Sequence, residues 1–462
     1  MRRAPDMQRL LAITWLTWKA ALRFRLFWVM AVLLIGSVVL LPLVIKDDGT
    51  ARGFAQILLT YTLSVITALL GLSTLWLSCG TLARDIEENQ IQVVAVKPIA
   101  RWQIWLGKWL GLVSLDAVLL AVAGACVFGL MHWRAQKLSP VEQRILREEV
   151  LVARGSLKEP TRDIDAEVER VFSERTKAAP VNPANAEYVK NQFREALKVE
   201  LVNPGYMRRW TFDLGFRKNF LRDEPFFVRL KFYAASTNQF GTYRTIVEVG
   251  PPDSAQRQRQ VLSLSADAFH EIKIPPNLWD ASGILTIDVQ NRDSVALAVP
   301  REDGFEVLYR EGGFALNFAR ALAIILFWLA LLAAVGLAAA SFLSFPVAAF
   351  VSLSFLVVAM STGTLSSSVA AGTITGVNEE TGEAGKSVLD IVLIPLFKGL
   401  LVIIKLVQGY SPIDSLSTGR SIAWETIGWA FAQIVLLLGG LAALFGIWMF
   451  NRRELAAAHN HS

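Results

Sequence analysis

The sequence predicts an α-helical polytopic membrane protein with a large polar domain inserted between its third and fourth spans. Three observations carry this. Apolar residues make up 53% of the chain and mean hydropathy is positive, at +0.41, and several apolar runs reach the roughly 20 residues that a helix needs to cross hydrocarbon. The central stretch 132–313 is rich in charge and has no such run. From Met207 onward that stretch breaks into short alternating segments parted by turn residues, the texture of antiparallel strands.

The net charge of +6 is unevenly placed. Arg2, Arg3, Arg9, Lys19, Arg23 and Arg25 precede the first apolar run, and Arg84, Lys97, Arg101 and Lys108 precede the third. This is the positive-inside bias and excludes a nucleic-acid footprint. Cys79 and Cys126 are the only cysteines, so the chain has no disulfide framework and no thiolate metal site. His132, His270, His459 and His461 are too scattered for a metal or catalytic cluster.

Met7 to Phe24 has helical periodicity. Met7, Leu10, Leu11, Trp15, Trp18 and Leu22 fall on one side, and Gln8, Arg9, Lys19 and Arg23 on the other. This predicts an interfacial helix over 1–26, lying at the headgroup level as a membrane anchor. Span one, Phe27 to Ile45, covers about 28 Å at 1.5 Å per residue. It is expected to stay as a span, since no small-residue cleavage pattern follows it. Asp47, Asp48 and Gly49 form a short outer loop, and span two, Ala55 to Cys79, returns. Span three runs from Ile104 to Met131. Asp116 lies near its middle, where a carboxylate costs roughly 3 kcal/mol and must face other helices or water. It is read either as a substrate-path or gating residue or as a packing residue.

The inserted domain has a helical part over 132–205 and a sheet part over 206–313. Ser139-Pro140-Val141-Glu142 is a capping box with proline at the first helical position, predicting a helix to about Gly155. Further helices are expected over Asp163 to Arg175 and Ala184 to Leu201. Eight strands follow: Arg209 to Leu214, Phe226 to Tyr233, Thr242 to Val249, Val261 to Ser265, Phe269 to Ile274, Ile284 to Val289, Val295 to Val299 and Phe305 to Tyr309. They predict an antiparallel β-sandwich or jelly roll. The sandwich weakly resembles carbohydrate-binding sandwich domains; it carries no ligand motif, and a rigid cover or docking module fits it equally.

Spans four to six occupy 314–455, near Phe314 to Ala339, Phe345 to Met360 and Ile427 to Met449, with a cytoplasmic tail over 456–462. Between the last two, 361–425 is read as a re-entrant or interfacial segment rather than a seventh span. The apolar stretch Ser387 to Val407 carries Asp390, Pro395, Lys398 and Lys405, and Arg452 and Arg453 belong inside, which requires an even count.

The remaining segment, 82–108, is polar yet lies between two membrane-length runs, so it must lie at a membrane face. Its charges begin with Asp85, Glu87 and Glu88. An apolar strip, Ile91, Val93, Val94 and Val96, leads to Lys97-Pro98-Ile99-Ala100-Arg101, where Pro98 breaks the helix, and Trp102 to Leu110 runs on into span three. The order of acidic residues, Pro-x-x-Arg and Gly-Lys, here Asp85, Glu87, Pro98, Arg101, Gly107 and Lys108, resembles the ABC-2 family of ABC transporter permeases, as does Phe450 to Leu455 after the last span. Asn89-Gln90 stands where that family often has Gly-Thr. The resemblance covers Met1 to Met131 and Phe314 to Leu455.

The resemblance implies a multi-pass permease subunit of a bacterial inner membrane, acting as an exporter. Its partners would be a cytoplasmic ABC ATPase subunit that binds the ATP, and a second permease, identical or different. Asp85, Glu87, Glu88, Pro98, Arg101 and Lys108 would then be the docking segment, with Arg101 and Lys108 reaching toward lipid phosphates; the alternative is that they are solvated loop charges. A different reading makes the helices an anchor and gives the function to the outside domain, as a binding or assembly module for envelope glycans or proteins. No ATPase chemistry is expected of the chain itself. Gly382-Glu383-Ala384-Gly385-Lys386-Ser387 fails as a P-loop because position 380 is Glu380, and Ile284 to Asp288, superficially like a Walker B strand, lies in the proposed sandwich.

Overall fold

The computed structural model describes residues 6–44, 49–88, 99–160, 163–178, 186–219, 221–236, 241–252, 254, 257–362, 365–366, 369 and 389–453. The chain divides into two compact units, Met1–Leu151 with Gly313–Ser462, and Val152–Gly312.

The first unit is helical. Helices α1 (Asp6–Arg23), α2 (Arg25–Val44), α3 (Ala51–Glu87) and α4 (Arg101–Ala135) precede the insertion, and α5 (Pro140–Ile145) ends this half. After the insertion come α8 (Phe314–Ala340), α9 (Phe345–Met360), α10 (Asp390–Gln408), α11 (Pro412–Ser417) and α12 (Trp424–Arg452), the last with a π-helical stretch at Phe431–Gly439. Among the described residues five helices are long and apolar enough to cross a membrane: Phe27–Val44 within α2, α3, α4, α8 and α12. Helix α9 is apolar but has 16 residues, about 24 Å at 1.5 Å per residue.

An apolar bundle gains little from sequestering oil from oil, so close contact at small residues does the binding. Gly336 on α8 lies against Ser78 on α3, where any added Cβ would collide with the serine hydroxyl, and Gly446 on α12 lies between Ala338 and Trp105. Leu58, Leu63, Ile66 and Leu70 pack with Phe318, Ile325 and Leu329 in the centre. The far end from 82–108 is tied by Glu142, whose carboxylate accepts from the Ala51 amide at 2.6 Å, and by Arg134, which donates to the Pro42 carbonyl.

The second unit is a sheet domain with two helices, α6 (Ile164–Ala178) and α7 (Ala186–Leu197). Its strands are β1 (Val152–Leu157), β2 (Val199–Val202), β3 (Met207–Asp213), β4 (Phe226–Leu230), β5 (Tyr233–Ala234), β6 (Thr242–Val249), β7 (Gln258–Ser265), β8 (His270–Ile274), β9 (Ile284–Asn291), β10 (Leu297–Pro300) and β11 (Phe305–Gly313). Two four-stranded sheets, ordered β1-β11-β4-β8 and β3-β9-β6-β7, share one core, and β2-β10-β5 forms a small third ladder. Leaving that ladder aside, the neighbours pair first with last, second with seventh, third with sixth and fourth with fifth. A long hairpin rolled up on itself has that order, which defines a jelly roll. Trp210 and Phe305 stack across the core at 4.2 Å between ring centroids.

Two helix boundaries differ from the sequence reading. The helix begun at Pro140 stops at Val150, and Val152–Leu157 is a strand. Gly155 there lies flush against the Tyr309 ring, with no room for a side chain, so partner packing on β11 outweighs local helix propensity. Likewise α7 ends at Leu197, and Val199–Val202 pairs antiparallel with Leu297–Pro300. The expected start of that helix, Ala184, lies outside the described residues.

Charges cross the outer faces of both sheets. Asp288 on β9 is buried, opposite Arg209 and Glu248 on the neighbouring strands, and accepts from Arg209 at 2.8 and 3.0 Å and from Arg257. Burial alone would push its carboxyl up; the hydrogen bonds and charges of the two arginines outweigh it and hold the group below the ordinary carboxylate range. A depressed carboxyl contributes stability that is complete above its unfolded value of about 3.9 and is lost as pH falls through the folded value. The stability gap between wild type and Asp288→Asn is therefore expected to be constant above about pH 4 and to close below it. Hydrogen exchange of peptides from 284–291 measures this; a gap that persists unchanged into acid would remove Asp288 from the account.

Candidate functional site

The last turns of α3 present Thr81, Arg84, Asp85 and Glu87, and the first turns of α4 present Arg101 and Lys108. Helix α4 starts cleanly at Arg101 because the Gln103 side chain turns back to accept from the Ala100 amide at 3.1 Å, satisfying a donor that helix geometry leaves open.

Lys108 is buried, only 6% exposed. Its ammonium lies 2.5 Å from Asp85 Oδ2 and 2.8 Å from the Thr81 carbonyl, both on α3. Arg101 donates to three backbone carbonyls at the end of α12: Phe450 at 2.6 Å, Asn451 at 3.0 Å and Arg453 at 2.9 Å. These are the carbonyls a helix end leaves without partners, at its negative pole. Glu87 does the opposite, accepting from the Phe345 amide at 2.8 Å at the start of α9. Arg84 lies over the rings of Phe24 and Phe345, at 4.9 and 4.5 Å. The candidate residues are thus brought together, and they join the ends of α3, α4, α9 and α12.

This corrects two expectations. Lys108 and Arg101 are turned inward rather than toward lipid phosphates: the Lys108 ammonium meets a carboxylate and a carbonyl, and Arg101 Nη1 meets three carbonyls. Nor are Asp85 and Glu87 loose solvated charges, since each has a partner on another helix. Glu88 is exposed at the end of α3. Pro98, with the apolar strip before it, lies outside the described residues.

Helix α1 is also part of this end, by a face that its apolar pattern hides. Ile13, Thr17 and Ala21 are buried, while Met7, Leu11, Trp15 and Leu22 are exposed. The buried face runs along Gly107 and Gly111 of α4; a Cβ at Gly107 would lie 2.7 Å from the Ile13 side chain, and one at Gly111 2.6 Å from that of Thr17. Thr14 donates to the Gly107 carbonyl at 3.2 Å, and the Trp18 indole to Ser114 at 2.9 Å. The signal was the Gly-x-x-x-Gly spacing at 107 and 111, which marks close helix contact in apolar helices.

Asp116 lies one helix face further in, buried against α3, so it faces a neighbouring helix as required. The Thr74 hydroxyl is 2.9 Å from Asp116 Oδ2 and 2.7 Å from the Leu70 carbonyl. One hydroxyl hydrogen serves two acceptors. Among the described residues no group of three or more His, Cys, Asp or Glu side chains is placed to hold a metal.

Comparison with protein-family models, with curated proteins and with solved structures returned no match to this chain.

Asp85→Ala would strand the Lys108 ammonium in the bundle with one carbonyl. The expected loss is about 2–3 kcal/mol, below the range for a fully enclosed pair because the Asp85 side chain is 31% exposed. Adding Lys108→Met should restore most of it. Thermal unfolding of the four proteins in detergent measures the cycle, and a double variant no more stable than Asp85→Ala would deny the pair its role.

Proposed function

We propose that this chain is the membrane-spanning permease subunit of an ABC-2 type exporter, working in a bacterial inner membrane with a separate cytoplasmic ATPase subunit and a second permease chain. The observation that supports it most is the interlocked end of the helical unit. The residues that resemble the family's docking segment are the ones that fasten four helix ends together. A force applied at 89–98 would enter α3 and α4 jointly through Lys108 and Asp85, pass to α9 through Glu87, and reach the last helix through Arg101.

In this reading α2, α3, α4, α8, α9 and α12 are six spans, both ends of the chain are cytoplasmic, and the sheet domain is outside. Helix α10 is an interfacial or re-entrant element; Lys398 and Lys405 are seven residues apart on it and share a face. ATP is bound and hydrolysed by the partner. This chain contributes the stiff connection and, at Asp116, a carboxyl inside the bundle where helices α3 and α4 meet.

Arg101 and Glu87 hold the platform together, so altering them disturbs helix ends as well as any partner contact. Glu88 is exposed at the end of α3, and Glu88→Lys leaves the Arg101 and Glu87 bonds in place. Co-purification with the candidate ATPase in mild detergent is expected to give a stable complex with an altered hydrolysis rate. Glu88→Lys should weaken that complex while the chain still inserts. A chain that purifies alone and leaves hydrolysis unchanged with every candidate ATPase would overturn the permease reading in favour of an anchored outside module.

A further inference from the structure

The helical unit has an apolar cavity of about 550 Å³ between α2, α3 and α9. Met30, Leu72, Trp76, Phe345, Ala349 and Leu353 are among the residues that line it, and apart from Ser73 and the Trp76 indole the walls are hydrocarbon. Leu72, Trp76, Phe350 and Leu353 are also exposed on the helix surface, so the cavity opens sideways, toward what surrounds the helices.

At one end stands Arg84. Phe345, which lines the cavity, also lies under its guanidinium at 4.5 Å, with Phe24 at 4.9 Å. Gly80, one turn back on α3, leaves space for both rings, at 3.4 and 3.6 Å from where a Cβ would be. Unlike Lys108 and Arg101, the Arg84 side chain makes no ion pair or hydrogen bond within the chain among the described residues. The nearby carboxylate, Glu87, accepts from the Phe345 amide. Ring faces hold the cation in place and leave its N–H groups available.

We infer that this cavity is a binding site for an anionic phospholipid, with an acyl chain in the slot and the headgroup phosphate on Arg84. A guanidinium matches phosphate oxygens in a paired, charge-assisted geometry. The apolar walls match an acyl chain, and a basic group beside a slot between spanning helices is the arrangement that selects anionic headgroups. The inference requires that these helices lie in a bilayer. It requires nothing of the ATPase, so a chain that binds no ATPase can still bear it out.

The test uses the whole delipidated chain in mild detergent, with phosphatidylglycerol or phosphatidylcholine added back and bound lipid counted by native mass spectrometry. Wild type is expected to prefer phosphatidylglycerol by about fivefold or more, the worth of one well-placed arginine. Arg84→Gln should erase the preference while lipid still binds, Arg84→Lys should keep part of it, and Ala349→Trp should lower binding of both lipids. Equal binding of the two lipids by wild type overturns the proposal and needs no variant. So does an unchanged preference in Arg84→Gln, or a wild-type chain that binds neither lipid and pairs with a second copy through this face.

Discussion

A lysine that leaves water inside an apolar bundle must find its partners there, and the geometry of one whole end follows from how Lys108 finds them. Its ammonium needs acceptors from a neighbouring helix, which draws α3 alongside α4 until the Thr81 carbonyl and Asp85 are in reach. Once that register is fixed, Glu87 arrives at the start of α9 and Arg101 at the end of α12. A buried ion pair adds little net stability over a hydrocarbon pair of the same shape, yet it penalises every alternative register heavily. The pair therefore acts as a specifier. It makes one mutual position of α3 and α4 far better than its neighbours, in a region where apolar side chains alone would tolerate sliding.

Much of this was legible in the sequence, for identifiable reasons. Runs of apolar residues announce long helices wherever they fall. The eight expected runs from Arg209 onward all hold strands, because burial on one face of a sheet repeats every second residue, although Phe226 to Tyr233 divides into β4 and β5 in different ladders. The strands that escaped, Val152–Leu157 and Val199–Val202, owe their state to distant partners: Val-Ala-Arg-Gly-Ser-Leu has no alternation to display, and it extends because β11 is beside it. The candidate site divides similarly. Its residue types and spacing could be named in advance, but not that Arg101 would cap a helix about 350 positions away or that Glu87 would cap another. The face of α1 that packs was hidden because threonine, alanine and glycine read as neutral in a hydropathy pattern, although close approach depends on their small size.

In the sheet domain charge is used in the same way. Glu306, Arg229 and Glu271 are opposite one another on three adjacent strands, Arg154 joins Glu271 at 2.8 Å and Ser156 donates to Glu306 at 2.6 Å. Arg154, Arg229 and Glu306 are buried. A shift of one residue in either ladder would turn these charges toward Trp210, Phe305 and the rest of the core. The ion rows thus hold the strands in register from outside, while the stacked rings hold the sheets face to face.

The first and last strands of the rolled hairpin, β1 and β11, are neighbours in one sheet. The chain therefore enters this domain at Val152 and leaves it at Gly313 on adjacent strands, so the domain behaves like a bead tied on by both ends of a single short thread. Lineages could lengthen, exchange or lose such a bead without re-threading the helices on either side, since a tight turn could close the same gap. The sheet domain can thus change on a different evolutionary clock from the helices on either side of it.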